Sequence, residues 1–410
     1  MTLGSVPPTV RLTLARGCAW SLLIAGWIGI GSLAQRIAPD PASAFTLVAL
    51  WLLALGGAAA MATRSDLLRG ASWAALAGSA AASVAGLGLS RQGAGLLSLA
   101  GLLLAVLGWA ALTALASGVV RSLRLALSAT PRPPIGAASL GALAAGLVLA
   151  DLGDVAGLVP RLMAFVVATA ALLAVLQAAR ARSDRPAGCR AGLFDCSLPA
   201  WPAGAWRDRE QWPTLIAGLT MLPMMAALPL LVEACRASPT LSPQAMLLAH
   251  LAAMFGPAFA LQGVIATWTS RNLALACAAL LAAGAVSAAC APVPLDGLGL
   301  GACHGAAWSL AWAGQLWAPA RRGNQGASPW RAAAGYAVVT LAFGAVVQAW
   351  GLRGVVGVHI GLGLAAALSV ALHRAWTPAE RPAPVPSPNP RPTRTQPAPK
   401  PHDPPRSQRI

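Results

Sequence analysis

Methionine is scarce in this chain, 8 residues in 410, yet five of the eight fall between 221 and 254 with a histidine among them. The stretch Met221-Leu222-Pro223-Met224-Met225 contains a Met-x-x-x-Met pair. His250-Leu251-Ala252-Ala253-Met254 contains His-x-x-x-Met, with Met246 one turn earlier on the same side. Residues four apart on a helix share a face, about one turn from each other, so each pair presents two donor atoms together. A thioether is a soft, uncharged ligand that prefers Cu(I) to hard cations, and imidazole also suits copper. A neutral set of this kind releases an ion more readily than carboxylates would, and an ion in passage needs a site weak enough to leave. Met221, Met225, His250 and Met254 are therefore the candidate ligands, with copper as a transported substrate and no cofactor bound permanently. Met246 is an outer candidate for the same ion, although thioethers at Met224 and Met246 also fill gaps between helices.

Other residues invite the same question. His304, beside Cys303, and His359 are candidate haem or secondary metal ligands, against the plainer role of a histidine hydrogen-bonded between helices. Cys189 and Cys196 flank a six-residue segment and could accept copper on its way out, but that is not a tight metal spacing such as Cys-x-x-Cys. Glu233 and Cys235 could help capture an ion. Asp151, Asp154 and Arg161 read as a loop between two spans.

The elements that carry these residues follow from composition. The chain is 57% hydrophobic and 10% charged, against roughly a quarter charged in an ordinary soluble domain. Apolar stretches recur that are long enough to cross about 30 Å of hydrocarbon as helices. They lie near 17–35, 43–63, 71–89, 94–119, 135–150, 162–179, 213–233, 242–267, 273–291, 297–318, 332–350 and 354–373. Backbone groups in lipid must be satisfied internally, which runs of Ala, Leu and Gly achieve as helices. The expected class is all-α, a polytopic membrane protein of about 12 transmembrane helices in two six-helix bundles. Its parts are an N-terminal bundle (1–179), a connecting loop (180–212), a C-terminal bundle (213–375) and a tail (376–410). The tail holds 12 prolines in 35 residues and is expected to be extended rather than packed.

Orientation is read from the basic residues, because short loops rich in Arg and Lys stay on the cytoplasmic side. With the N-terminus inside, 24 of the 29 Lys and Arg fall in cytoplasmic segments, and only Arg36, Arg91, Arg161, Arg236 and Arg353 fall outside. Both termini are thus expected in the cytoplasm of a bacterial cell, with the lipid bilayer as the immediate partner. The net charge of +17 follows this topology rule and does not point to nucleic acid. The first apolar run reads as an uncleaved helix, not a signal peptide, and seven scattered cysteines do not make a disulfide framework. No nucleotide-binding loop is present and no Ser/His/Asp set stands at a catalytic spacing, so neither an ATP-driven pump nor an enzyme is expected.

On the expected topology, Met225 and His250 each lie about 13 to 15 Å from the same membrane face at about 1.5 Å per residue. Met221 and Met254 share the next level down. Two neighbouring helices could then bring three thioethers and an imidazole into one cavity.

Six spans, a long cytoplasmic connector and six more spans resemble the major facilitator superfamily, whose two bundles rock about a central substrate site. The superfamily's loop signature between helices two and three survives here in degraded form, as Arg64-Ser65-Asp66-Leu67-Leu68-Arg69-Gly70. Asp66 and Arg69 could serve as a gating ion pair, or simply as a charged turn. Met-x-x-x-Met on the seventh span followed by His-x-x-x-Met on the eighth resembles the CcoA-like copper importers of that superfamily, which serve assembly of haem-copper oxidases. The resemblance implies Met221, Met225, His250 and Met254 as ligands, import as the direction, and copper chaperones or oxidase assembly factors as partners. Two other readings remain open: a carrier of an organic solute or drug, and a non-transporting haem- or copper-binding membrane protein.

Overall fold

The computed structural model describes residues 6–64, 73–91, 95–126, 135–149, 155–178, 211–236, 243–290, 295–317 and 329–376. Their regular elements are all helices: α1 (Pro8–Ile37), α2 (Pro41–Arg64), α3 (Trp73–Ser90), α4 (Leu96–Ala126), α5 (Ile135–Val148), α6 (Val155–Ala178), α7 (Trp212–Arg236), α8 (Pro243–Ala260), the short α9 (Gln262–Ile265), α10 (Ser270–Cys290), α11 (Leu295–Trp317) and α12 (Pro329–Trp376). α12 is two spans. Its backbone breaks at Gly351, with φ 60° and ψ −148°, a conformation essentially reserved for glycine. The break divides Trp330–Gly351 from Arg353–Leu372. With α9 set aside and α12 taken as two, the described residues form twelve helices, the tenth being α11, and seven of the twelve are long and apolar enough by themselves to cross a membrane.

Several helices outrun the apolar segments that define them. α1 begins at Pro8, where a proline in the first turn forfeits no helix hydrogen bond, and so takes in Arg11 and Arg16. Arg161, expected in the loop after the fifth span, instead lies inside α6 and donates from Nε to the Gly157 carbonyl at 3.0 Å. Basic side chains near span ends do not stop a helix, because the long aliphatic stem packs along apolar surface; Arg16 is itself 9% exposed. At the start of α2, Asp40 is a capping residue. Its Oδ1 accepts from the Ser43 amide and its Oδ2 from the Ser43 hydroxyl, each at 2.8 Å. The hydrogen bond from the Ser43 amide, then that from its hydroxyl, hold the Asp40 carboxyl below the ordinary carboxylate range.

The two halves pack by one scheme. In the first, α1 packs on α2, α4, α5 and α6, α2 on α4, and α3 on α4 and α6. In the second, α7 packs on α8, α11 and α12, α8 on α11, and α10 on α11 and α12, which are the same pairings advanced by six spans. Small residues let the backbones approach where there is no hydrophobic force to drive helices together in lipid. A Cβ at Gly86 would fall 2.5 Å from the Gly101 carbonyl oxygen across the α3–α4 seam, and one at Gly363 would fall 2.7 Å from the Leu281 carbonyl oxygen across the α12–α10 seam.

Between the halves, α2 lies along the first arm of α12, from Phe45 against Phe343 to Gly57 beside Trp330. α5 lies along α8, with Gly136 beside Phe259 and Gly146 beside Leu248 and Leu251. Advancing by six spans converts one of these pairings into the other, and α1 meets α7 between them. The halves are thus related by a pseudo-two-fold arrangement, and the centre of the molecule is lined by spans from both.

Candidate functional site

α7 and α8 contribute the methionines and His250, but the helix that sets their register is α11, which packs on both. Glycines make this possible. A Cβ at Gly301 would stand 3.3 Å from His250 Nδ1 and 3.8 Å from the Met224 methyl, and one at Gly305 would stand 3.2 Å from the Met254 amide nitrogen. One turn of α11 therefore meets Met224 and His250. The next meets Met254 and, through His304, Thr220. α11 stands as a ruler between the two motif-bearing helices.

His250 is 2% exposed and its Nδ1 lies 3.1 Å from the Gly301 carbonyl. A carbonyl only accepts, so Nδ1 carries the proton. In the neutral ring Nε2 then holds the free lone pair. That Nε2 is buried with no hydrogen-bond partner. Metal-bound histidines are commonly arranged in this way, one ring nitrogen donating to a backbone carbonyl and the other left for the ion. Met221, Met224 and Met225 are fully buried, and Met246 and Met254 nearly so, all in one continuous apolar core. At Gly301 the same backbone position faces both the His250 ring and the Met224 methyl.

The other two buried histidines form a separate chain. His359 Nδ1 lies 2.8 Å from the Val355 carbonyl, one turn back on its own helix, and its Nε2 lies 2.9 Å from His304 Nδ1. His304 Nε2 lies 2.8 Å from the Thr220 hydroxyl, which also reaches the Ile216 carbonyl. Both ring nitrogens of His304 are engaged, so in this conformation neither is open to an ion. Sequence offers no signal for this link, since 84 residues separate Thr220 from His304 and 55 separate the two histidines.

Where α1 of the first half meets α8 and α11 of the second, four aromatic rings cluster. Trp20 lies 5.9 Å from Phe255 and 5.1 Å from Trp312, and Trp308 stacks on Trp312 at 5.5 Å. The indole nitrogens of Trp20 and Trp308 are buried without hydrogen-bond partners. Among the described residues no group of three or more His, Cys, Asp and Glu is placed to hold a metal. Cys18, Cys277, Cys290 and Cys303 are free thiols. Cys189, Cys196, Asp66, Arg69, Asp151, Asp154 and the tail beyond Trp376 lie outside the described residues, as do the side chains of Glu233 and Cys235.

No family model and no curated protein matches the sequence. Solved structures do match the fold. The chain is similar to the nucleoside transporter NupG, at 14% identity and a TM-score of 0.58, over 90% of this chain and 99% of that one. It is similar to the E. coli fucose:proton symporter FucP at 14% identity and 0.50, over 91% and 100%. A POT family transporter in complex with 5-aminolevulinic acid matches at 12% identity and 0.53, over 92% and 99%. FucP is a major facilitator superfamily transporter. The chain therefore shares the all-helical fold of these transporters, and its apolar helices make it a multi-pass membrane protein.

Proposed function

We propose that the chain is a secondary transporter that carries copper, as Cu(I), inward across the bacterial cytoplasmic membrane and so supplies haem-copper oxidase assembly. Met221, Met225, His250 and Met254 bind the ion transiently, with both termini in the cytoplasm. One observation carries this reading: the His250 imidazole is oriented by the Gly301 carbonyl so that its other nitrogen is buried without a hydrogen-bond partner, one turn from Met254 on a helix whose methionines are buried with those of α7. Soft neutral donors match a soft monovalent ion and avoid burying a carboxylate with it. Alternating access by rocking of the two halves gives the ion its route.

A second reading is favoured by the aromatic cluster. Two buried indole N–H groups between the halves, on Trp20 and Trp308, suit a carrier of an organic solute with hydrogen-bond acceptors. NupG and FucP, similar in fold, are named for organic cargo.

Radiocopper uptake separates the two. Cells bearing His250→Ala with Met254→Ala, inserted at parental levels, are expected to lose at least about tenfold of the uptake, since even an outer-shell change at a metal site costs that much. Uptake at the parental rate removes the copper assignment and leaves the organic carrier.

A further inference from the structure

The Thr220–His304–His359–Val355 chain is one proton short of its own geometry. It contains four contacts: Thr220 hydroxyl to the Ile216 carbonyl, Thr220 hydroxyl to His304 Nε2, His304 Nδ1 to His359 Nε2, and His359 Nδ1 to the Val355 carbonyl. Each needs one hydrogen. A hydroxyl and two neutral imidazoles supply three in all. The two ends are fixed, because carbonyls only accept: Thr220 donates to Ile216 and His359 donates from Nδ1 to Val355. Working inward, His359 Nε2 must accept from His304 Nδ1–H, and the Thr220 oxygen must accept from His304 Nε2–H. His304 then carries hydrogens on both nitrogens. With one added proton every contact is satisfied; without it, two lone pairs face each other or the Thr220 hydroxyl abandons Ile216.

We propose that His304 and His359 together form a binding site for a single proton, and that its loading and release accompany each transport cycle. The coupling rests on the transport reading above; the proton site stands without it. The bound state is a buried cation, and its surroundings make it transient. The described titratable side chains on the elements packed around the pair are His250 on α8, Cys277, Cys290 and Arg271 on α10, Cys303 on α11, and Tyr336, Arg331 and Arg353 on α12, while the side chains of Glu233 on α7, Asp296 on α11 and His373 on α12 lie outside the described ones. The described side chains of α2, α7 and α9 include none. Among the described side chains no carboxylate stands there to compensate the charge when water is excluded, and a buried uncompensated charge is costly. Occupancy must then change as the site gains and loses contact with water, which alternating access provides. With Thr220 the chain of contacts spans three helices, α7, α11 and the second arm of α12, so a shift of any one breaks a contact.

The test uses the whole protein in lipid nanodiscs, with histidine nitrogens followed by NMR from about pH 8 to about pH 5, the range in which histidine ordinarily titrates. One interior imidazolium per chain is expected, sharing a hydrogen bond with a neutral imidazole. His304→Gln and His359→Gln should each abolish that signal, and His250→Gln should keep it. Thr220→Val, which removes the acceptor of the fourth hydrogen, should cut the protonated fraction about tenfold at a given low pH. Two neutral rings throughout, or an imidazolium that survives in His359→Gln, overturns the site; the parental spectrum decides even where a variant fails to fold. Copper uptake into vesicles under an imposed pH gradient tests the coupling. The parent should respond several-fold and His359→Gln should not, whereas equal responses overturn the coupling. A parent that protonates the pair but takes up no copper defeats the cargo assignment while supporting the proton site.

Discussion

The two halves share one packing scheme and differ in what their polar atoms do. In the first half, the hydroxyls of Thr13, Ser21, Ser83, Thr113 and Ser139 bond to carbonyls one turn back on their own helices. Trp109 crosses between helices, donating to the Leu22 carbonyl at 2.8 Å. In the second half Thr214 and Ser369 bond locally in the same way, but a further set of polar atoms reaches across between helices. Thr220 meets His304, His304 meets His359, His250 meets Gly301, and Ser309 accepts from the Ala258 amide on α8 at 2.9 Å. The three histidines buried among the described residues, and five of the eight methionines, lie there. A duplicated scaffold can thus hold its shape in one copy and concentrate its chemistry in the other. Membrane interiors make the contrast legible, because intramembrane polar groups are costly and mark function by default.

The contrast can be broken by showing that the first half matters as much to uptake. Gly86→Val forces a branched side chain against the Gly101 carbonyl, and overpacking of this kind costs about 3 kcal/mol. The thermal midpoint of the purified protein should fall, with copper uptake per folded molecule unchanged; a comparable loss of specific uptake would erase the distinction. Ser309→Ala sharpens it from the other side. Losing the acceptor for the Ala258 amide costs about 1 kcal/mol in stability, yet α8 bears His250 and Met254, so uptake per folded molecule should drop several-fold. The smallest effect belongs to Asp40. Its folded carboxyl titrates below the ordinary range, so the cap contributes above about pH 4 and is lost as pH falls through the lowered value. Hydrogen exchange at the Ser43 amide should quicken on acidification, and Asp40→Asn should flatten that response without touching uptake.

The sequence was most informative where a rule is local. Twelve apolar stretches could be counted because each span must satisfy its own backbone, and the i, i+4 spacings of Met221, Met225, His250 and Met254 could be read because a helix has a fixed period. Ends were less legible: Pro8 and Arg161 show helices continuing past the charges expected to bound them, since the stem of a basic residue packs along apolar surface as readily as an aliphatic side chain does. What lay beyond reach was register between spans distant in sequence. Nothing in the residues near His304 announces Thr220 or His359, and nothing in the run Gly301 to Gly305 announces that it sets the levels of α7 and α8. Met224 was read by its spacing on one helix, whereas its surroundings are decided by a third.

The break at Gly351 gives the last two spans an unusual dependence. Trp330–Gly351 is laid along α2 in the opposite half, Arg353–Leu372 is packed on α10 and bears His359, and a single glycine joins them with no loop to take up slack. Any swing of the first half that drags its neighbouring arm is passed at once, as through a short lever, to the histidine at the far side of the joint.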